Sequence, residues 1–288
     1  MRLTARVPAT VANLGPGFDS IGMAIDLRNE VTVDTGRPPA VAVEGEGAGE
    51  LPLDASNLIF RAMAYLEQEA GGSLPPFALS CVNRIPLERG LGSSSSAVVA
   101  GLLLADRLLG TDLLADRLLE VAVDVEGHAD NVAPALRGGL TLAYLSRNGW
   151  RAESLGLSPD LQPVVFVPLE ERMSTAEARR VLPREVSRDD ATFNASRAAL
   201  AVIALAGRPD LLAEALEDRL HQQARLPLYP SSRALFYELK DAGIPVCVAG
   251  AGPSLLAFDV GAEMPELGPG WRVLRVRPEL RGANVVES

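Results

Sequence analysis

The chain has 288 residues and a mass of 30.4 kDa, with 48% hydrophobic and 22% charged residues, enough to bury more than one compact core. Its 37 acidic against 27 basic residues give a formal net charge of -10, which argues against nucleic-acid binding, because phosphate contacts need a concentrated basic surface. Only Lys240 among the basic residues is a lysine, so a Walker loop ending in Gly-Lys-Ser/Thr is excluded.

In chain order, clusters of β-branched and apolar residues between Gly and Pro punctuation predict strands over residues 2–8, 30–34 and 77–82. Apolar residues at helical spacing predict helices over 57–70, 94–109 and 113–124, followed by a strand over 140–145. The polar, turn-rich stretch 149–163 marks a boundary that divides the chain into units of residues 1–156 and 157–288. A strand over 164–167 opens the second unit, with helices over 175–181, 190–206, 211–220 and 232–242 and strands over 246–249, 255–259 and 272–276. The class is mixed α and β, without internal repeats.

Cys81 and Cys247 stand far apart with no other ligand type beside them, which supports neither a disulfide framework nor a Cys-rich zinc site. The only histidines, His128 and His221, are too separated for a His-based metal centre, so a metal would sit on oxygen ligands. The longest apolar runs, 97–105 and 198–206, fall short of the ~20 residues a membrane helix needs, and the N-terminus lacks a signal-peptide core. A cytoplasmic protein with neither membrane nor nucleic acid among its partners is expected.

Three segments carry chemistry. Pro86-Leu-Glu-Arg-Gly-Leu-Gly-Ser-Ser-Ser-Ser-Ala97 runs straight into an apolar helix and reads as a phosphate loop. Gly90 and Gly92 allow close backbone approach, and Ser93 to Ser96 are placed to cap the helix while its first N–H groups face an anion. About half a positive charge at the helix start stands in for the missing lysine. A flexible linker would be polar on both sides, and this segment is not. Pro8-Ala-Thr-Val-Ala-Asn-Leu-Gly-Pro-Gly-Phe-Asp19 places Asn13 and Asp19 just beyond the first strand, either to hold a small polar substrate or to satisfy a plain Gly-Pro turn. In the third, residues 119–134, Glu120 and Asp124 share one helical face, and solvated charge is the plain reading for Asp124 and Glu126.

Together, and in this order, these segments resemble the GHMP kinase superfamily, and within it the branch that acts on L-homoserine. The likeness lies in the first motif, in Gly-Leu-Gly-Ser-Ser, and in Glu126-Gly-His-Ala-Asp-Asn131 followed by Val-Ala-Pro. It continues through Ser174-Thr-Ala-Glu-Ala-Arg179, Leu182-Pro183, Asp218-Arg-Leu-His221 with Arg225, and Ala249-Gly-Ala-Gly-Pro-Ser254, and so covers nearly the whole chain. Ala129 and Ala249 depart from the family pattern, which has proline and serine there.

The resemblance implies an α+β, two-domain GHMP kinase fold, with an N-terminal domain of the kind shared with a ribosomal protein, a C-terminal ferredoxin-like domain, and the site between them. It implies ATP and Mg²⁺ as cofactors and phosphorylation of the L-homoserine side-chain hydroxyl on the route to threonine. Pro86, Gly90, Leu91, Gly92, Ser93, Ser94, Ser95 and Ser96 match the loop that holds the ATP phosphates. Ser94 is matched to Mg²⁺ together with Glu120, eight positions before the motif histidine and preferred to Glu126. Substrate contacts are implied for Asn13, Asp19, His128, Asp130, Asn131, Thr175, Arg179 and Arg225, the two arginines suiting a carboxylate and Asp19 or Asp130 an ammonium. Asn131 would align the hydroxyl without a general base, with Asp130 as the other proton acceptor to consider. The family also suggests a homodimer. Two alternatives stay open: a relative acting on mevalonate-type or sugar alcohols, and a catalytically silent nucleotide sensor of the same fold.

Overall fold

The computed structural model describes residues 1–287. Its elements are β1 (Arg2–Ala12), β2 (Ile21–Asp34), β3 (Ala40–Gly45), α1 (Leu58–Ala70), β4 (Ala78–Asn83), α2 (Ser93–Leu109), α3 (Ala115–Glu126), α4 (Ala129–Arg137), β5 (Leu140–Ser146) and β6 (Gly149–Leu155). There follow β7 (Pro163–Pro168), α5 (Thr175–Arg180), α6 (Arg188–Gly207), the short helices α7 (Leu212–Ala215) and α8 (Gln222–Arg225), α9 (Pro230–Asp241), β8 (Val246–Val248), β9 (Leu255–Phe258), β10 (Trp271–Arg275) and β11 (Asn284–Glu287). No helix among the described residues is long and apolar enough to cross a membrane.

A seven-stranded sheet runs in the order β11-β1-β2-β4-β3, with β5 paired to the first residues of β2 and β6 paired to β5. β1 and β2 shift register between Pro8 and Ala9, where proline has no N–H to give the ladder. Helices α1 to α4 bury one face of this sheet in an apolar core that includes Val7, Val31, Met63, Leu79, Val99 and Val121. Asn57 caps α1 by accepting from the Ile59 N–H, and Gly71 closes it at φ 62.

The second sheet is four-stranded, antiparallel throughout, in the order β10-β7-β9-β8. A ferredoxin-like domain has one helix in each of its two crossovers. Here α5 to α9 all fall between the first and second strands of this sheet, and the connection from β9 to β10 carries no helix. A second group of buried side chains, among them Val11, Met23, Ile85, Val165, Leu205 and Phe258, joins the two sheets into one packed body.

Beyond the unpredicted β3 and the earlier start of β2, four features differ from the sequence reading. β6 occupies residues read as turn, pairing with β5 across a tight hairpin that brings Ser146 opposite Gly149. α4 was masked by Pro134. The carbonyl that Pro134 cannot bond, that of Asp130, lies against Gly22 so closely that a Cβ there would sit 1.9 Å from it. The helix expected over 211–220 stops at Ala215, because Asp218 takes the N–H groups of Leu220, His221 and Gln222. The second unit does not keep its own end, since β11 pairs with β1.

Candidate active site

Where the two sheets meet, a cavity of about 560 Å³ is lined from three directions: by the turn after β1, by the loop into α2, and by the segment from Arg172 to Arg179. Gly90 and Gly92 have φ of 73° and 71°, and both are tightly enclosed. A Cβ on Gly90 would lie 2.0 Å from the Ala249 carbonyl oxygen, and one on Gly92 would lie 1.9 Å from Thr10 Oγ1. Arg89, itself buried, anchors the loop by donating to the carbonyls of Pro168 and Leu169, both at 2.7 Å.

No serine side chain caps α2. Gly92 occupies the cap, and the Ser96 N–H to the Gly92 carbonyl is the first bond of the helix. The N–H groups of Ser93, Ser94 and Ser95 are therefore free at the positive end of a 17-residue helix, and no acidic residue lies in its first turn. The hydroxyls have other tasks. Ser94 and Ser95 donate to the same oxygen of Glu126, at 2.5 and 2.8 Å, whereas Ser96 Oγ is buried without a partner among the described residues. Ser95 is turned from the cavity, which Pro86, Gly90, Leu91, Gly92, Ser93, Ser94 and Ser96 line.

Glu120, the expected metal carboxylate, does not reach this place. It lies about 240° around α3 from Glu126 and is held by Arg117 at 3.1 Å and Arg151 at 3.0 Å, whose hydrogen bonds lower its pKa. Glu126, read as a solvated charge, is the carboxylate that lines the cavity beside α2. Burial raises its pKa, against the hydroxyls of Ser94 and Ser95. Among the described residues no three His, Cys, Asp or Glu side chains group to hold a metal alone. One carboxylate and one hydroxyl in contact beside an anion site do fit a hard cation that takes its other oxygens from phosphate and water.

At the other end stand the polar groups of the first and third motifs. Asp19 receives both terminal nitrogens of Arg179, the longer contact being 3.1 Å. Arg179 Nε is buried without a protein partner. Asn13 lines the cavity; Nδ2 donates to the Gly250 carbonyl at 2.9 Å and Oδ1 accepts the Asp19 N–H at 3.0 Å. These bonds make Asn13 fix the turn that carries Asp19, both residues at positive φ.

Asp130, in the first turn of α4 and 3% exposed, has its pKa pushed up to about 7 by burial and then by the charge of Asp19. Burial and Arg179 lower the pKa of His128, favouring its neutral form. Asn131 Oδ1 accepts from Thr10 Oγ1 at 2.8 Å, which leaves its Nδ2 as the free end. Arg225 is 2% exposed and lines the cavity with Arg179 and the more exposed Thr175. The sequence reading missed Thr10 and Arg89, although both lie inside its motifs, and it missed the Glu50–Arg172 pair at the mouth, joined at 2.6 Å.

Residues 57–139 match the family model described as GHMP kinases N terminal domain. That match, the loop at the start of α2 and the two-sheet body define a kinase of the GHMP class. A homoserine kinase of Clavibacter michiganensis is 46% identical over 261 residues, covering 89% of this chain and 82% of that protein. One of Mycobacterium tuberculosis is 44% identical over 271 residues, covering 91% and 85%. The crystal structure of homoserine kinase from Cytophaga hutchinsonii matches at 25% identity with a TM-score of 0.82, covering 99% of this chain and 97% of that one. The chain belongs to the homoserine kinase family.

Proposed function

We propose that this chain transfers the γ-phosphoryl group of ATP to the side-chain hydroxyl of L-homoserine, giving O-phospho-L-homoserine and ADP, with Mg²⁺ as the cation. The observation that carries the reading is the polarity of the cavity. One end is a helix start with free N–H groups, and the other pairs two arginines with two buried or half-buried aspartates. Such an end complements an amino-acid zwitterion, whereas a sugar or a simple alcohol offers the arginines no anion.

In this reading Ser93, Ser94 and Ser95 bind the ATP phosphates through their backbone N–H groups, and Ser96 through its unpartnered hydroxyl. The apolar arm formed by Val31, Val43, Leu58 and Cys81, with Asn57 and Asn83 at its rim, receives the base. Ser94 and Glu126 would hold Mg²⁺, which would supply neutralisation of the charge that develops on the phosphates during transfer. Arg225 and the free Nε of Arg179 bind the substrate carboxylate, while Asp19 and Asp130 face its ammonium. Asn131 donates through Nδ2 to orient the hydroxyl. Phosphoryl transfer through a loose transition state depends mainly on positioning and electrostatics, so these groups supply most of what the reaction needs. Asp130, its carboxyl pushed up to about 7 by burial, is the second candidate acceptor for the hydroxyl proton, beside transfer without a general base.

The test is ADP formation by purified protein with ATP and Mg²⁺ across hydroxyl-bearing amino acids, mevalonate and sugar alcohols. Fastest turnover with L-homoserine is expected. Faster turnover of mevalonate or a sugar alcohol would overturn the assignment, and nucleotide binding without any turnover would favour a sensor.

A further inference from the structure

Behind the carboxylate end of the cavity lies a buried group to which the mechanism gives no part. The ring of His221 is fully buried and makes two directional contacts: Nε2 lies 2.8 Å from the Gly15 carbonyl oxygen, and Nδ1 lies 3.1 Å from Arg225 Nη1. A carbonyl oxygen only accepts, so Nε2 carries the ring proton and Nδ1 presents a lone pair to the guanidinium. Burial and the positive charge of Arg225 both keep the ring neutral, against the pull of Asp218.

The backbone beneath the ring is tied as tightly. Buried Asp218 accepts the N–H groups of Leu220, His221 and Gln222 at 3.0, 2.9 and 2.8 Å, and Asn194 Nδ2 at 2.9 Å. The ring of Phe18 stacks on the imidazole with centroids 5.2 Å apart and lies under both arginines, 5.7 Å from Arg179 and 5.4 Å from Arg225.

This arrangement divides the Arg225 fork. Nε donates to the Ala178 carbonyl at 3.3 Å, and Nη1 to the Gly250 carbonyl at 3.1 Å and to His221. Nη2 has no protein partner among the described residues. A guanidinium is planar, so fixing Nε and Nη1 fixes the direction of Nη2. The Ala178 carbonyl belongs to the short helix α5 and the Gly250 carbonyl to the loop after β8, and the imidazole is the one side chain in the set.

We propose that His221 is the positioning residue of the carboxylate clamp: its neutral Nδ1 accepts from Nη1 and holds the guanidinium plane so that Nη2 meets the carboxylate of an amino-acid substrate. The proposal rests on the reading that Arg225 binds that carboxylate.

The chain has two histidines, so a nitrogen–proton correlation spectrum of ¹⁵N-labelled protein contains two imidazoles, and the spectrum of His128→Gln tells them apart. The expected result for His221 is a neutral ring protonated at Nε2 between about pH 6 and 8. A proton on Nδ1, or a doubly protonated ring, overturns the proposal, and because this arm leaves His221 itself unmutated it decides even if the His221 variants fail to fold. Steady-state kinetics supply the second arm. His221→Gln removes the acceptor facing Arg225 and should raise the KM for L-homoserine about tenfold or more, with the KM for ATP unchanged. His221→Asn returns an amide oxygen near the Nδ1 position and should recover most of that loss. Equal effects of the two substitutions, or a KM for ATP that moves with that for homoserine, would mean the ring only fills space. Arg225→Ala separates the two claims: if it leaves the KM for homoserine unchanged, the carboxylate reading fails, whatever the spectrum shows of the His221 ring.

Discussion

Asp130 is the carboxylate whose titration should be most visible in the stability of the protein, and Asp130→Asn isolates it. An unfolded aspartate titrates near ~3.9, whereas in the fold burial and Asp19 push Asp130 up to about 7, with Arg179 and the backbone N–H groups of Asp130 and Asn131 pulling the other way. A raised carboxyl favours the protonated folded state. Its contribution to stability is therefore fully present below about pH 4 and is lost as pH rises toward 7. A difference of about 3 units corresponds to roughly 4 kcal/mol at 1.36 kcal/mol per unit, of which about 1.5 is gone by pH 5 and nearly all by pH 8. Asparagine does not titrate. Relative to the unmutated protein, Asp130→Asn should thus gain about 3 kcal/mol between pH 5 and pH 8. Urea unfolding of both proteins at several pH values across that range measures this directly, and the other acids, Glu126 included, cancel in the difference. Parallel stability curves would show that the Asp130 carboxylate is already well solvated or paired.

Two further substitutions test the phosphate end. Glu126→Gln should lower kcat by about a hundredfold or more at saturating Mg²⁺ while the protein stays folded by circular dichroism, because the cation would lose its carboxylate where transition-state charge develops. Glu120→Gln, which disturbs only the contacts to Arg117 and Arg151, should leave kcat nearly unchanged, and the reverse ranking would restore Glu120 to the metal. Gly90→Ala forces a Cβ to within 2.0 Å of the Ala249 carbonyl at a φ of 73°, and should raise the KM for ATP about tenfold and lower Tm by several degrees. An unchanged Tm and KM would mean that the glycine turn opposite yields freely.

The elements legible in the sequence were those whose signals are local. Asn57 before an apolar helix marks a helix start by short-range chemistry and lies where the pattern places it, and the Gly-Ser stretch before α2 marks the second start although the cap falls on Gly92 and not on a serine. α4 was hidden because Pro134 argues against a helix interior, and its acceptance depends on Gly22 in a distant strand making room for the Asp130 carbonyl. Glu126 was passed over for a comparable reason. Nothing within α3 distinguishes it from Glu120, and its partners Ser94 and Ser95 lie on another helix, 32 and 31 positions earlier. The sequence motif ending in His221 was noticed, yet its acceptor at Gly15 is 206 residues away, so its contacts could come only from tertiary packing.

β11 gives the body of the protein an unusual dependence on its final residues. It pairs Leu3 with Glu287 and Ala5 with Val285, so the ladder that covers the outer side of β1 joins nearly opposite ends of the sequence. During synthesis, β1 can pair with β2 early, and the second sheet can be complete, while the other edge of β1 still presents unsatisfied N–H and C=O groups. A nascent chain waiting in that condition is open to strand addition by a neighbour. A chain shortened before Asn284 would carry every residue assigned to phosphate, cation and substrate, and yet have a raw sheet edge; aggregation, rather than lost chemistry, is the failure to expect of it.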